Sequence, residues 1–318
     1  MVSEKNLQFD FGARSDVGVV RDSNQDSALA SSNVLLVADG MGGHAGGDVA
    51  STIATTMLSE LTQVAAPRGR AQTRLSVSDA EQLVKDSITQ AYIAILDIVK
   101  NEPELAGMGT TLTGIVRAEN TFLSFHLGDS RLYRLHEGTL TQMTKDHTFV
   151  QRLVDSGKIS AEEARNHPQK NVVVRVLGDF EVDFEPDLDY IPICANDRFF
   201  ICSDGVCGTV DDDTIRQILL EKCSPEDAAN ELVDLALRNG STDNCTAVVA
   251  DVKEITGEPQ LPVFAGATQE ALQDHLNDLV KRGSDTAKKK HPTKQPEKLG
   301  FFDKMLETVK SVFNQVLQ

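Results

Sequence analysis

Tryptophan is absent from this chain, and aromatic residues make up only 5% of it. A core built from such a sequence is aliphatic, and there is little to stack against unpaired bases. Positive charge is also scarce: 31 Lys and Arg stand against 48 Asp and Glu, a net charge of −17. A body of that sign repels polyphosphate, which argues against nucleic acid as a partner. The five cysteines (Cys194, Cys202, Cys207, Cys223 and Cys245) are odd in number and include no Cys-x-x-Cys pair. That pattern gives neither a disulfide framework nor a zinc knuckle, and it points to a reducing compartment. No stretch reaches the roughly 18 apolar residues of a membrane span. The first residues, Met1 to Lys5, carry an early acid and no apolar run, so they do not read as a signal peptide. The expected location is the cytoplasm.

What is present is enough for a large aliphatic core: 318 residues, 40% of them apolar. Residues 6–13 and 33–38 read as strands, and 46–64 as a helix behind glycine-rich punctuation. A second helix fits 79–100, where Leu83, Ile88, Tyr92, Ile95, Leu96 and Val99 recur at helical spacing. Short strands follow at 110–118, 121–128, 131–136 and 139–143, joined by links too short for anything but antiparallel neighbours. Residues 147–178 are polar and helical in character and interrupt this β pattern, as a flap beside a site would. Strands resume at 184–191, 197–203 and 245–252, with helices at 211–221 and 225–238 between the last two. Many antiparallel strands with helices in pairs predict an α+β fold.

The character of the chain changes near 255. Residues 255–299 read as a polar, lysine-rich linker, and 300–318 as an amphipathic helix with Phe302, Met305, Leu306, Val309, Phe313 and Val316 on one face. Residues 281–310 hold nine Lys and Arg against four Asp and Glu, a local balance of +5 in an acidic protein. Two readings of the tail stand side by side. One is a peripheral anchor on an anionic membrane surface. The other is a helix that docks on protein.

Chemistry concentrates in four aspartates. Asp39 ends the run Val34 to Ala38, Asp129 ends Phe122 to Gly128, Asp204 ends Phe199 to Ser203, and Asp243 precedes Cys245 to Ala250. Taken singly, Asp39-Gly40 and Asp204-Gly205 are turn formers. Repeated at the ends of rigid buried strands, carboxylates repel one another unless a cation neutralises them. Oxygen donors of this kind suit hard divalent ions, Mg²⁺ or Mn²⁺.

The motifs run in a fixed order. They are Arg21-Asp22-Ser23-Asn24-Gln25-Asp26, Asp39-Gly40-Met41-Gly42-Gly43-His44, Gly107-Met108-Gly109-Thr110-Thr111, Gly128-Asp129-Ser130-Arg131, Ser203-Asp204-Gly205 and Asp243-Asn244. In this order the chain closely resembles the metal-dependent protein phosphatases (PPM, phosphatase 2C type), in their bacterial branch, over residues 8–252. The resemblance implies two packed antiparallel sheets flanked by helices on both sides, with a helical flap, in a domain spanning 6–254. It implies hydrolysis of phosphoserine and phosphothreonine in proteins by a hydroxide bridging two Mn²⁺ or Mg²⁺ ions, in opposition to a bacterial Ser/Thr kinase. Asp39 and the Gly40 carbonyl, with Asp204, Asp243 and Asp129, would hold metal. Gln25, Asp26 and Asn244 would support them from behind, and Arg21 would bind phosphate.

Three departures matter. Position 25 is Gln where many relatives carry Glu. Gly208 stands where many carry a carboxylate for a third ion, so that ion is either weak or held by Asp129, Asp204 and water. Met41 follows Asp39-Gly40 where animal relatives have His. His44 is then a candidate general acid, with metal-bound water, His126 and His147 as alternatives. Two rival readings are a non-catalytic binding module of the same fold and a hydrolase of small phosphates. The motifs end by Asn244, which makes residues 256–318 expendable for catalysis on this reading.

Overall fold

Two antiparallel sheets stack face to face, and each carries helices on its outer side. The structure is a computed structural model and describes residues 7–42, 46–65, 75–180, 183–254 and 260–274. The first sheet has the order β1 (Leu7–Asp16), β12 (Cys245–Glu254), β11 (Arg198–Cys202), β7 (Arg131–His136), β8 (Thr139–Gln142). The second has the order β10 (Asp187–Pro192), β6 (Thr121–Leu127), β5 (Leu112–Ala118), β3 (Val34–Met41), β2 (Asp26–Ala30), β13 (Val263–Gly266). Two short strands, β4 (Gly109–Thr110) and β9 (Leu177–Gly178), extend it from the end of β3.

Strands with both faces buried sort their side chains by alternation. In β11, Phe199 and Ile201 enter the core between the sheets, while Phe200 and Cys202 face the outer helices. In β3, Leu35 and Val37 point to the same central core and Val34, Leu36 and Ala38 to the other helical layer. That second layer is α1 (Gly46–Ser59) and α3 (Val77–Asn101), with a short α2 (Leu61–Val64) between them. The layer on the first sheet is α7 (Asp212–Leu220) and α8 (Pro225–Arg238). The expected α+β sandwich of helices, sheet, sheet and helices is therefore what the chain forms.

Residues 147–178 hold α4 (Phe149–Asp155) and α5 (Ala161–Arg165), capped by Thr148 and Ser160. The segment is closed at its base, where Thr148 bridges Val173 and His147 and Val174 exchange a backbone bond of 2.8 Å. Its helical character was legible in the sequence.

Several boundaries differ. The expected helix 46–64 breaks at Glu60, and the strand expected over 110–118 breaks at Thr111 because the Thr111 N–H turns to the Asp39 carbonyl at 2.8 Å. Strand β2, with its small residues Ser27, Ala28 and Ala30, was not foreseen. The domain end at 254 and a linker from 255 also need correction. Val263–Gly266 pairs with Ser27–Ala30 as β13, so the sheet continues into the stretch read as linker. The amphipathic segment 300–318 lies outside the described residues.

Helix α8 starts on Ser224, whose Oγ accepts the Asp227 N–H at 3.0 Å, with Pro225 in the first turn. This end lies directly on β1. A Cβ at Gly12 would stand 2.3 Å from the Cα of Glu226, a contact no side chain survives without moving the helix. Gly12→Ala is expected to lower stability by about 1–3 kcal/mol through this overlap, read as an earlier urea midpoint. An unchanged midpoint would show that α8 gives way freely.

Candidate active site

The strand ends deliver the carboxylates to one end of the sandwich. Asp26 opens β2 and pairs directly with Asp39 near the end of β3. Asp129 follows β6, Asp204 follows β11 with only Ser203 between, and Asp243 lies just ahead of β12. Arg21 reaches over the mouth, its Nη2 donating to Asp243 Oδ2 at 2.8 Å, with half of its side chain exposed. Cooperation with Asp243, and the field of Asp39 and Asp204, hold its guanidinium firmly charged.

Backbone contacts fix these groups. The Asp39 N–H donates to Thr111 Oγ1 at 2.9 Å, and its carbonyl accepts Thr110 Oγ1 at 3.0 Å. A Cβ on Gly40 would meet the Gly47 carbonyl oxygen at 2.1 Å, so the glycines let the start of α1 crowd against Gly40. A Cβ on Gly205 would meet the Asn244 carbonyl oxygen at 2.0 Å, which presses the Asp204 turn onto the start of β12. Asp204 itself opens a short helix, α6 (Asp204–Cys207), rather than a simple turn.

The supporting residues divide. Asp26 is buried, its Oδ2 accepts Ser203 Oγ at 2.7 Å, and its Oδ1 has no protein partner. Asn244 is a clasp: its Oδ1 accepts the Gln25 N–H at 2.9 Å, and its Nδ2 donates to the carbonyls of Val17 and Ser23. It holds the Arg21 loop in place. Gln25 lies against Gly47, and its carbonyl accepts the Gly40 N–H at 3.2 Å. Thr110, Thr111 and Ser203 stand in the motifs quoted above, yet sequence reading gave them no role. Ser203 directly precedes Asp204, whereas Thr110 and Thr111 meet Asp39 only in the folded chain.

Charge is concentrated here. Burial first, then Asp26, Asp204, Asp129 and Asp243, holds the Asp39 carboxyl well above the ordinary range. Asp129 is raised by burial, then by Asp204 and Asp146. Asp26 is pushed up to about 7, mainly by burial, and Asp204 to about 6 by burial and Asp243. A crowd of oxygen donors that resists ionising alone, with one buried carboxylate oxygen left unsatisfied, fits hard divalent cations. A Cβ at Gly208 would stand 2.7 Å from the Asp204 carbonyl oxygen, so a side-chain ligand there requires the turn to shift.

The histidines separate clearly. His126 is buried, bonded to Thr113 Oγ1 at 2.8 Å and the Lys145 carbonyl at 3.1 Å, and burial drives it down to about 3. It is a neutral core residue. His147 belongs to the flap base: its Nδ1 accepts the Gly128 N–H at 3.1 Å, beside Asp129. His44 lies outside the described residues. Cys207 is raised by its hydrogen bond to Cys202 and by burial, which leaves it an inert thiol.

The pH dependence follows from these shifts. Asp26 and Asp204 have folded values of about 7 and 6, above the usual unfolded value of about 3.9. A raised folded value stabilises below the unfolded one, and that stability is lost as pH rises through the folded one. In EDTA, Tm is expected to fall between about pH 4 and 7. Mn²⁺ should restore it above pH 7 with release of protons. Calorimetry in two buffers of different ionisation heat checks both; a flat metal-free profile would contradict the clustering.

Residues 19–239 match the protein phosphatase 2C family profile. The serine/threonine protein phosphatase PstP of Mycobacterium tuberculosis is 44% identical over 259 residues, covering 81% of this chain and 48% of that protein. The chain thus spans about half the length of this mycobacterial relative. The serine/threonine phosphatase stp of Listeria monocytogenes is 33% identical over 75% of this chain and 94% of its own. Among solved structures, M. tuberculosis PstP/Ppp aligns with TM-score 0.71 at 43% identity, over 78% of this chain and all of that one. The catalytic domain of PstP in complex with 2 manganese ions aligns with TM-score 0.67 at 43% identity, over 77% of this chain and 99% of that one. With its sandwich, its ordered motifs and its gathered aspartates, this chain belongs to the protein phosphatase 2C family.

Proposed function

We propose that the chain is a Mn²⁺- or Mg²⁺-dependent phosphatase that removes phosphate from phosphoserine and phosphothreonine in proteins, in signalling opposed to a bacterial Ser/Thr kinase. The observation that carries this reading is the convergence of Asp26, Asp39, Asp129, Asp204 and Asp243 beneath one exposed arginine. Asp39, the Gly40 carbonyl, Asp204 and Asp243 would hold two ions, with Asp129 beside them and Asp26 behind. When bound, such a pair neutralises the carboxylates and makes water acidic enough to attack phosphorus near neutral pH.

The chain's own groups do the rest. Arg21 is aimed by Asp243 and offers its guanidinium to phosphoryl oxygens at the mouth. Asn244 keeps its loop from drifting. The flap, tied to Gly128 through His147, borders the site and shapes which protein surfaces reach it. A binding module without catalysis would tolerate loss of Arg21 or the aspartates, and all are present. The five cysteines are free, which suits a reducing cytoplasm. No helix among the described residues is long and apolar enough to cross a membrane. For the basic tail, which lies outside the described residues, the sequence supports either a peripheral membrane contact or docking on protein.

The decisive experiment is phosphate release from a phosphothreonine peptide with and without Mn²⁺. Release should depend on the metal and vanish in Asp39→Asn with the fold retained by circular dichroism. Near wild-type turnover of that variant at saturating Mn²⁺ would sink the reading. Arg21→Ala is expected chiefly to raise KM for the peptide. A charge-assisted contact of about 1.5–3 kcal/mol corresponds to roughly 10- to 150-fold. Unchanged KM and kcat would take Arg21 out of the site.

A further inference from the structure

We propose that His136, Cys194 and Asp197 bind one divalent ion of the zinc class, at the end of the sandwich opposite the phosphatase carboxylates. The Nδ1 or Nε2 of His136, the Cys194 Sγ and an Asp197 oxygen lie within 4.8 Å of one another. His136 is the last residue of β7, whose first residue, Arg131, pairs with Cys202 near Asp204. A six-residue strand separates the two ends by roughly 16 Å.

The turn that offers two of the ligands is rigid. Cys194-Ala195-Asn196-Asp197 joins β10 of one sheet to β11 of the other, and Asn196 adopts φ 69° to close it. The Asn196 N–H donates to the Val252 carbonyl, and the Val252 N–H to the Asp197 carbonyl, both at 2.8 Å. The turn is thus pinned to β12 on both sides. A spacing of two residues between ligands on a tight turn is a common way to present two donors to one ion.

The third ligand and an outer contact lie close at hand. Asp197 is only 1% exposed, and its Oδ1 bonds His136 Nδ1 at 2.6 Å. Arg134 Nε donates to its Oδ2 at 2.7 Å, so Oδ1 is the oxygen an ion would take, in exchange for the bond to His136. An open cavity of about 380 Å³ lies on one side of His136, lined also by Arg134, Glu137, Thr139, Thr141 and Met143. Binding removes the Cys194 thiol proton to solvent. If Nδ1 ligates, the His136 proton moves to Nε2 and the Nδ1–Oδ1 hydrogen bond breaks, each atom turning to the ion.

Ligand chemistry sets the metal. Sulfur, imidazole nitrogen and one carboxylate oxygen suit Zn²⁺ or Co²⁺, whereas the all-oxygen phosphatase site suits Mn²⁺ or Mg²⁺. One chain then sorts two classes of ion to its two ends. The distal ion ties the loop leaving β10 to β7 and β11, so its effect is on stability and not on turnover.

The test is titration of Co²⁺ into the full chain saturated with Mn²⁺. One equivalent should produce a thiolate-to-cobalt absorption in the near ultraviolet, with visible bands of a tetrahedral ion, and Zn²⁺ should bleach both. Cys194→Ser should abolish the thiolate band, and His136→Gln should weaken Co²⁺ binding by about tenfold or more. Mn²⁺-dependent phosphatase activity should be unchanged in both variants. The proposal fails if the wild-type chain gives no thiolate band, which would leave an ordinary His–Asp bond. It fails equally if the band persists in Cys194→Ser.

Discussion

Mutual repulsion among Asp26, Asp39, Asp129, Asp204 and Asp243 has to be resisted by the backbone that carries them. A flexible loop would relax and let such groups separate. Here Asp26 and Asp39 are locked as partners in an antiparallel ladder. Asp39 is further held by Thr110 and Thr111. The strands behind them are buried on both faces, so the ends have nowhere to move. The charge that remains unfavourable in the protein alone becomes affinity for cations.

Glycine supplies the close approaches. Gly40 against Gly47, and Gly205 against Asn244, bring separate segments of backbone within distances that any side chain would block. The first contact places a helix start against the strand end that carries Asp39, and the second seats Asp204 beside Asp243. Arg21, outside this dense region, keeps half of its side chain exposed, as the proposed phosphate contact requires.

Much of this was legible in the sequence. Periodicity found α3, the Ser224-Pro225 start marked α8, apolar runs marked most strands, and Asp39, Asp204 and Asp243 stood out because each ended or preceded such a run. The motif order located Asp26 even though its strand was missed: Asp26–Ala30 is short and built from small residues, so its burial comes from neighbours and not from its own pattern. Thr111 broke a predicted strand through a bond to a residue 72 positions away, which local pattern cannot register. Asn244 resembled a support for the metals, and its clasp on Val17 and Ser23 appears only once the loops meet. The grouping of His136, Cys194 and Asp197 left only the faint signal of a Cys-x-x-Asp turn.

Strand β13 has a practical meaning for how this protein is handled. It covers the outer edge of β2, and Gly266 lies so near Asp26 that a Cβ there would sit 2.1 Å from the Asp26 carbonyl oxygen. A chain cut at residue 254, where the catalytic motifs have already ended, would strip that cover. The strand bearing Asp26 would then present a row of unpaired amides and carbonyls to any other chain in solution. Self-association through a bare sheet edge, and not loss of a catalytic group, is the penalty for drawing the boundary where the motifs stop.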